Sequence, residues 1–229
     1  MKNGIDVSEW QGTIDWSKVN ADFAILRAGY GRLASQKDKR FEEYYAGAKK
    51  AGIPVGAYWY SYAMSEDEAR QEAKACLEVL AGKQFEYPIY FDLEEKKQFE
   101  LGREKVSAII DAFLTEMEKA DYFCGLYMSA YYLTSYTTEY IKARYCVWVA
   151  HYDVSKPDYA SPYGMWQKSS RGKINGISGD VDIDECYEDY PARIKAAGDN
   201  GFPKQAAKVQ KQVTITIDDH TYSGLLTEM

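Results

Sequence analysis

Eight short apolar runs separated by longer amphipathic or polar stretches restrict this chain to very few architectures. The runs fall at 4–7, 23–28, 55–60, 89–93, 123–128, 146–150, 163–167 and 180–183, and most are rich in β-branched or aromatic residues. Each is short enough to be a strand and too short to be a helix. The stretches 40–51, 66–80 and 103–119 have helical spacing, weaker helical patterns lie near 16–19 and 130–140, and Ser65 with Glu68 predicts a capping box at the second helix. Strands alternating with helices predict βα units and a parallel sheet, and eight strands suffice to close a barrel. The connections 151–162 and 168–179 look like loops, so the expected fold is α/β, a barrel whose final strands lack full helices. At 229 residues and 46% hydrophobic, the chain can bury one large core.

Beyond the barrel the character changes. Residues 213–217 alternate like an exposed strand, and Asp218-Asp219-His220 can turn the chain back toward 222–226. We therefore expect a catalytic-sized barrel over 1–203, with 204–229 forming a linker and a hairpin tail or the start of a further module.

A formal charge of −7, with no Lys/Arg-rich run, argues against nucleic acid as the partner. No apolar stretch is long enough to span a membrane, and the start, Met1-Lys2-Asn3-Gly4-Ile5-Asp6, enters a strand with no apolar leader. A protein of this kind working outside the cell would be released by lysis, or would have lost a signal segment. Cys76, Cys124, Cys146 and Cys186 form no CxxC pair, so they are expected as small buried side chains rather than zinc ligands. Two histidines, His151 and His220, are little material for a Ser-His-Asp triad or a histidine-rich metal centre.

The chemistry concentrates in acids at strand ends. In Tyr87-Pro88-Ile89-Tyr90-Phe91-Asp92-Leu93-Glu94-Glu95, strand alternation puts Tyr90, Asp92 and Glu94 on one side and Phe91, Leu93 and Glu95 on the other. Two carboxyl groups on one side of a buried strand suit acid/base work on a glycosidic bond, or cation binding. Asp6 ends the first predicted strand and Asp182 lies on the eighth, and closure of a barrel makes these strands neighbours. Four acids at one rim raise at least one carboxyl pKa by mutual repulsion, which keeps a general acid protonated. Tyr58 and Tyr60 share a side of the third strand, and Tyr127, Trp148, Trp166 and Gln167 end later ones. All are candidates to line a sugar site. Arg27, inside an apolar strand, needs a partner, and a barrel acid is the natural one.

Several motifs together resemble the glycoside hydrolase family 25 lysozymes. They are Gly4-Ile5-Asp6-Val7-Ser8 with Trp10-Gln11-Gly12, Arg27-Ala28-Gly29-Tyr30-Gly31, Pro54-Val55-Gly56-Ala57-Tyr58-Trp59-Tyr60, Asp92-Leu93-Glu94, Trp148-Val149-Ala150, Met165-Trp166-Gln167, and Gly176-Ile177-Ser178-Gly179 with Val181-Asp182. The resemblance runs from Gly4 to about Tyr190. It implies a flattened TIM-like barrel with eight strands and few helices, and an N-acetylmuramidase acting on bacterial peptidoglycan outside the cell without a cofactor. It also implies that Asp6, Asp92, Glu94 and Asp182 are the catalytic acids. Glu94, farthest toward the mouth, then protonates the leaving oxygen, and Asp92 faces the anomeric side. Two strand residues apart is ~6.6 Å, between the carboxyl spacings that separate retention from inversion, so spacing leaves the stereochemistry open. The acetamido group of the substrate adds a third, substrate-assisted route. Two other functions fit the same residues: a barrel hydrolase whose acids hold Mg²⁺ or Ca²⁺, and a wall-binding barrel without turnover.

Overall fold

The structure, a computed structural model, describes residues 1–204 and 210–227. The expected linker at 205–209 lies outside the described residues. Eight strands close a barrel in chain order: β1 (Lys2–Val7), β2 (Phe23–Tyr30), β3 (Val55–Tyr60), β4 (Ile89–Asp92), β5 (Cys124–Ser129), β6 (Cys146–Ala150), β7 (Met165–Gly172) and β8 (Val181–Cys186). The helices are α1 (Phe41–Lys50), α2 (Glu66–Leu80), α3 (Lys96–Phe99), α4 (Arg103–Lys119), α5 (Ala130–Tyr136), α6 (Glu139–Arg144) and α7 (Tyr190–Ala197). Strands β9 (Gln210–Ile217) and β10 (His220–Thr227) form a separate antiparallel pair, turned by Asp218 and Asp219, both with positive φ.

The sheet is not wholly parallel. Strands β1 to β7 run parallel, but β8 is antiparallel to both β7 and β1. A hairpin between β7 and β8 replaces the crossover helix a parallel strand would need. Asp182 therefore reaches the rim from the start of its strand rather than its end, and its Cα lies opposite that of Asp6.

Alternation divides the core in two. On β4, Phe91 points outward and stacks on Phe113 of α4, centroids 3.9 Å apart and planes 13° apart, while Tyr90 and Asp92 point into the barrel. Truncating Phe91 to alanine would cost ~3–5 kcal/mol. The amino-terminal half of the interior is filled by Phe23, Tyr87, Tyr90 and Tyr190. Gly4 must be glycine, because a Cβ there would run into the Phe23 ring. This apolar filling leaves the carboxyl-terminal half for polar side chains. All four cysteines are free thiols, three of them buried.

Two local expectations need correction. The Ser65 hydroxyl accepts from Glu68 N at 3.3 Å, but the Glu68 carboxylate accepts from Met64 N and Arg32 instead of closing a box. The helix expected over 130–140 breaks into α5 and α6. Thr137 is extended with its hydroxyl bonded to Leu133 O, and Thr138 N donates to Ser107 Oγ at 2.9 Å. Among the described residues no helix is long and apolar enough to cross a membrane.

Candidate active site

The carboxyl-terminal mouth of the barrel holds a cavity of about 300 Å³. Every parallel strand points its last inward residues here, so side chains far apart in sequence converge. Asp6 comes from β1, Arg27 from β2, Tyr58 and Tyr60 from β3, Asp92 from the end of β4 with Glu94 just beyond it, Tyr127 from β5, Trp148 from β6, Gln167 from β7 and Asp182 from β8. Trp166, expected here, is not part of it. Gln167 faces inward, so its neighbour on β7 faces outward, into the layer beneath the helices, with its indole donating to His151 O at 2.8 Å. Ser8, Trp10, Gln11 and Tyr152 complete the lining. A wider hollow of about 760 Å³ opens at the opposite end, around Cys124, Cys146 and Gly164, away from these acids.

One amide organises the inner wall. Gln167 Nε2 donates to Asp6 Oδ2 at 2.7 Å, and Gln167 Oε1 accepts from the hydroxyls of Tyr127 at 2.7 Å and Tyr152 at 2.6 Å. Beneath, Trp148 Nε1 donates to Asp184 Oδ1 at 2.8 Å, and Asp184 is fully buried.

The electrostatics follow from crowding of like charge. Burial raises the Asp6 carboxyl well above the usual range, and the charges of Asp182 and Asp184 push the same way against the Gln167 hydrogen bond. Asp92 is likewise raised by burial and by Glu94, with Arg27 opposing, and no protein donor reaches its Oδ1. Glu94 keeps an open side chain but stands in a recess walled by protein. Desolvation and the Asp182 charge raise it, while the Tyr127 hydroxyl within reach draws it down. Asp182, mainly through burial, is pushed up to about 6. A recess holding four acids biased toward protonation can deliver a proton to a bound ligand near neutral pH.

Arg27 is not partnered by a barrel acid. Its guanidinium donates to Asp38 Oδ2 at 2.7 Å and to Glu9 Oε1 at 3.0 Å. Tyr60 donates to Glu95 Oε1 at 2.8 Å, which ties the site wall to the loop after β4. His151 accepts at Nδ1 from Asp158 N, in a loop contact. The side chains that sequence reasoning missed are Asp38, Asp184 and Tyr152. Only Asp184 had a local signal, since it shares a strand face with Asp182. Among the described residues no group of three or more His, Cys, Asp or Glu is arranged to hold a metal ion.

Comparison with known proteins agrees with this barrel. The chain is 29% identical over 194 residues to the autolytic lysozyme of Clostridium acetobutylicum, an alignment covering 81% of this chain and 56% of that protein. The solved bacterial lysozyme of Streptomyces coelicolor superposes with a TM-score of 0.74 at 28% identity, covering 88% of this chain and 98% of that one. The autolysin LytC of Streptococcus pneumoniae, solved with a synthetic peptidoglycan ligand, gives a TM-score of 0.72 at 29% identity over 81% of this chain and 46% of that chain. The chain thus spans about half the length of two of these relatives. The family model for glycosyl hydrolases family 25 matches residues 5–177, which include Asp6, Asp92 and Glu94 and end short of Asp182. On that match and that shared barrel, the chain belongs to glycosyl hydrolases family 25.

Proposed function

We propose that this protein is a muramidase acting outside the cell, cleaving the β-1,4 bond between N-acetylmuramic acid and N-acetylglucosamine in peptidoglycan. The observation that supports it is the convergence of Asp6, Asp92, Glu94 and Asp182 on one cavity, with Glu94, at its mouth, biased toward the protonated form by burial and the Asp182 charge. The synthetic peptidoglycan ligand in the structure of the modular autolysin LytC, part of whose chain shares this barrel, supports the choice of substrate. We place the activity in residues 1–203 and treat 204–229 as an appendage.

In this reading Glu94 is the general acid, because it is the acid most open to the mouth. It gives its proton to the glycosidic oxygen as the bond to the anomeric carbon breaks. The carbonyl oxygen of the substrate's acetamido group attacks that carbon, and Asp92 accepts the acetamido N–H and balances the positive charge of the resulting ring. Glu94, now a carboxylate, takes a proton from water as the water opens the ring. Asp182 helps keep Glu94 protonated and Asp6 holds the wall through Gln167, while Tyr58, Tyr60, Tyr127 and Trp148 offer faces and hydroxyls to the sugar.

The test is mass spectrometry of digested peptidoglycan, with Glu94→Gln as the control. New reducing ends on N-acetylmuramic acid that disappear with the variant support the proposal. Reducing ends on N-acetylglucosamine, or a variant as active as wild type, refute it.

A further inference from the structure

We infer that Gln98 is a positioning residue, whose buried amide clamps the loop after β4 to the loop after β3 and so fixes where Glu94 stands at the cavity mouth. The role of Glu94 as the acid rests on the muramidase reading; the clamp does not.

Glu94 lies between the end of β4 at Asp92 and the short helix α3. Its side chain is exposed, and among the described residues neither a cation nor a backbone N–H holds its carboxyl. Its placement therefore depends on the path of its backbone, and that path is fastened at both ends to one residue, Ser61. At the near end Ser61 N donates to Asp92 O at 2.9 Å. At the far end Gln98 Nε2 donates to Ser61 Oγ at 3.1 Å and to Ala63 O at 3.0 Å. Between the two, Gln98 N closes on Glu95 O at 2.9 Å. The β3 side of the clamp is itself fixed. Ala63 N donates to Ser61 Oγ at 3.1 Å, and Tyr62 N donates to Glu72 Oε1 at 2.8 Å, which ties this loop to α2.

Holding α3 against the barrel does not call for an amide. The next residue, Phe99, already stacks on Tyr132, with centroids 3.7 Å apart and planes 8° apart. Gln98, Ser61 and Ala63 are all fully buried, and burying an amide disfavours folding unless its bonds are made. Here both N–H groups are bonded, while no protein donor reaches Oε1, so a methionine of similar length would fill the same space without stranding an oxygen. What methionine lacks is direction. Ala63 O can only accept, so the amide nitrogen must face it, and two donated bonds then hold the two loops at one separation. A reacting group displaced by about 1 Å loses roughly a hundredfold in rate, which is the scale of effect such a clamp prevents.

The groups facing Glu94 are Tyr60 on β3, Asp92 on β4, Tyr127 on β5, Tyr152 after β6, Asp182 on β8 and its own neighbour Glu95. None is a cation, and burial in the recess with the Asp182 charge holds the Glu94 carboxyl above its ordinary range. Carbon-13 NMR of glutamate-labelled protein, with Glu94→Gln assigning the signal, follows that titration without reference to activity. In Gln98→Met it should move down toward the ordinary carboxylate range, as the loop drifts into water and away from Asp182. On purified walls, well below the melting temperature, kcat of this variant should fall roughly tenfold to a hundredfold with KM within about twofold. A lower melting temperature with kcat and the titration both unchanged would mean that Gln98 serves only the fold, and would overturn the inference. Should Gln98→Met not fold, Ser61→Ala decides. It removes one of the two amide bonds and keeps Ser61 N on Asp92 O, so it should move the titration in the same direction and lower kcat about threefold. No change in either overturns the inference. If the titration responds as expected while muramidase digestion fails, the clamp stands and the activity assignment falls.

Discussion

Arg27 offers a sharp test of whether a charged residue beside the cavity serves the fold or the ligand. Its side chain is 12% exposed and that of Asp38 is 1% exposed, so their pair at 2.7 Å is largely out of water. Replacing Arg27 with methionine keeps most of the stem volume and removes the charge. Glu9 is not stranded by the change, because Lys39 Nζ lies 3.1 Å from its other oxygen. Asp38 retains two backbone donors, Glu9 N at 3.0 Å and Arg40 N at 2.9 Å, but has no cation left. Breaking one side of a buried pair costs ~3–5 kcal/mol, and the surviving donors put this case near the lower end. At ~3 kcal/mol the melting temperature should fall by roughly 6–12 °C for a chain of this size. Adding Asp38→Asn removes the uncompensated charge, and the double variant should regain ~1–3 kcal/mol of that loss. Thermal unfolding followed by circular dichroism measures both, and steady-state kinetics should show KM within about twofold of wild type. A variant that melts normally but shows a tenfold or larger rise in KM would place Arg27 on the substrate, and the ion-pair reasoning would fail.

Other outcomes follow from the same groups. Glu72 is buried in α2 with its carboxyl pushed up to about 7, chiefly by burial, and Asp182 shifts in the same direction. Folded values above the unfolded ones contribute stability that is complete below about pH 4 and lost as pH rises toward about 7, so these groups should make the protein melt higher at pH 5 than at pH 8, and Glu72→Gln should flatten that difference. Asp92→Asn should lower kcat by roughly 10²–10⁴-fold on purified walls with little change in KM, and a variant with nearly full activity would remove Asp92 from the mechanism. A chelator should leave the rate of wall lysis unchanged, and inhibition restored by Mg²⁺ or Ca²⁺ would favour the metal-dependent alternative.

The strands were legible because short apolar runs leave little choice of structure, and the acids were legible because a strand end is where alternation meets a barrel mouth. The direction of β8 was not legible. Val181-Asp182-Ile183-Asp184 alternates identically whichever way the strand runs, so pairing with β1 and β7 alone decides it. Trp166 and Gln167 were both placed at the site although adjacent strand residues must diverge, and local pattern could have excluded one of them. The partner of Arg27 was hidden for a different reason, since Asp38 lies in a loop whose path no periodicity describes. Helix α7 did carry cues, with Asp189 capping Ala192 N, Pro191 in the first turn and Gly198 left-handed at its end. They are easily missed because the helix is only two turns long.

The reversed last strand gives this scaffold one adjustable parapet. Because β7 climbs to Gly172 and β8 descends from Val181, the tip joining them stands on the same rim as the acids, and it is braced there by Asp15 N donating to Gly176 O at 2.8 Å. A two-stranded arm can grow or shrink by matched pairs of residues without disturbing the register below, unlike a connection that must return through a helix. On the muramidase reading proposed above, changes in the height of that arm would alter how long a glycan can thread past the reacting bond, while the acids beneath stay as they are.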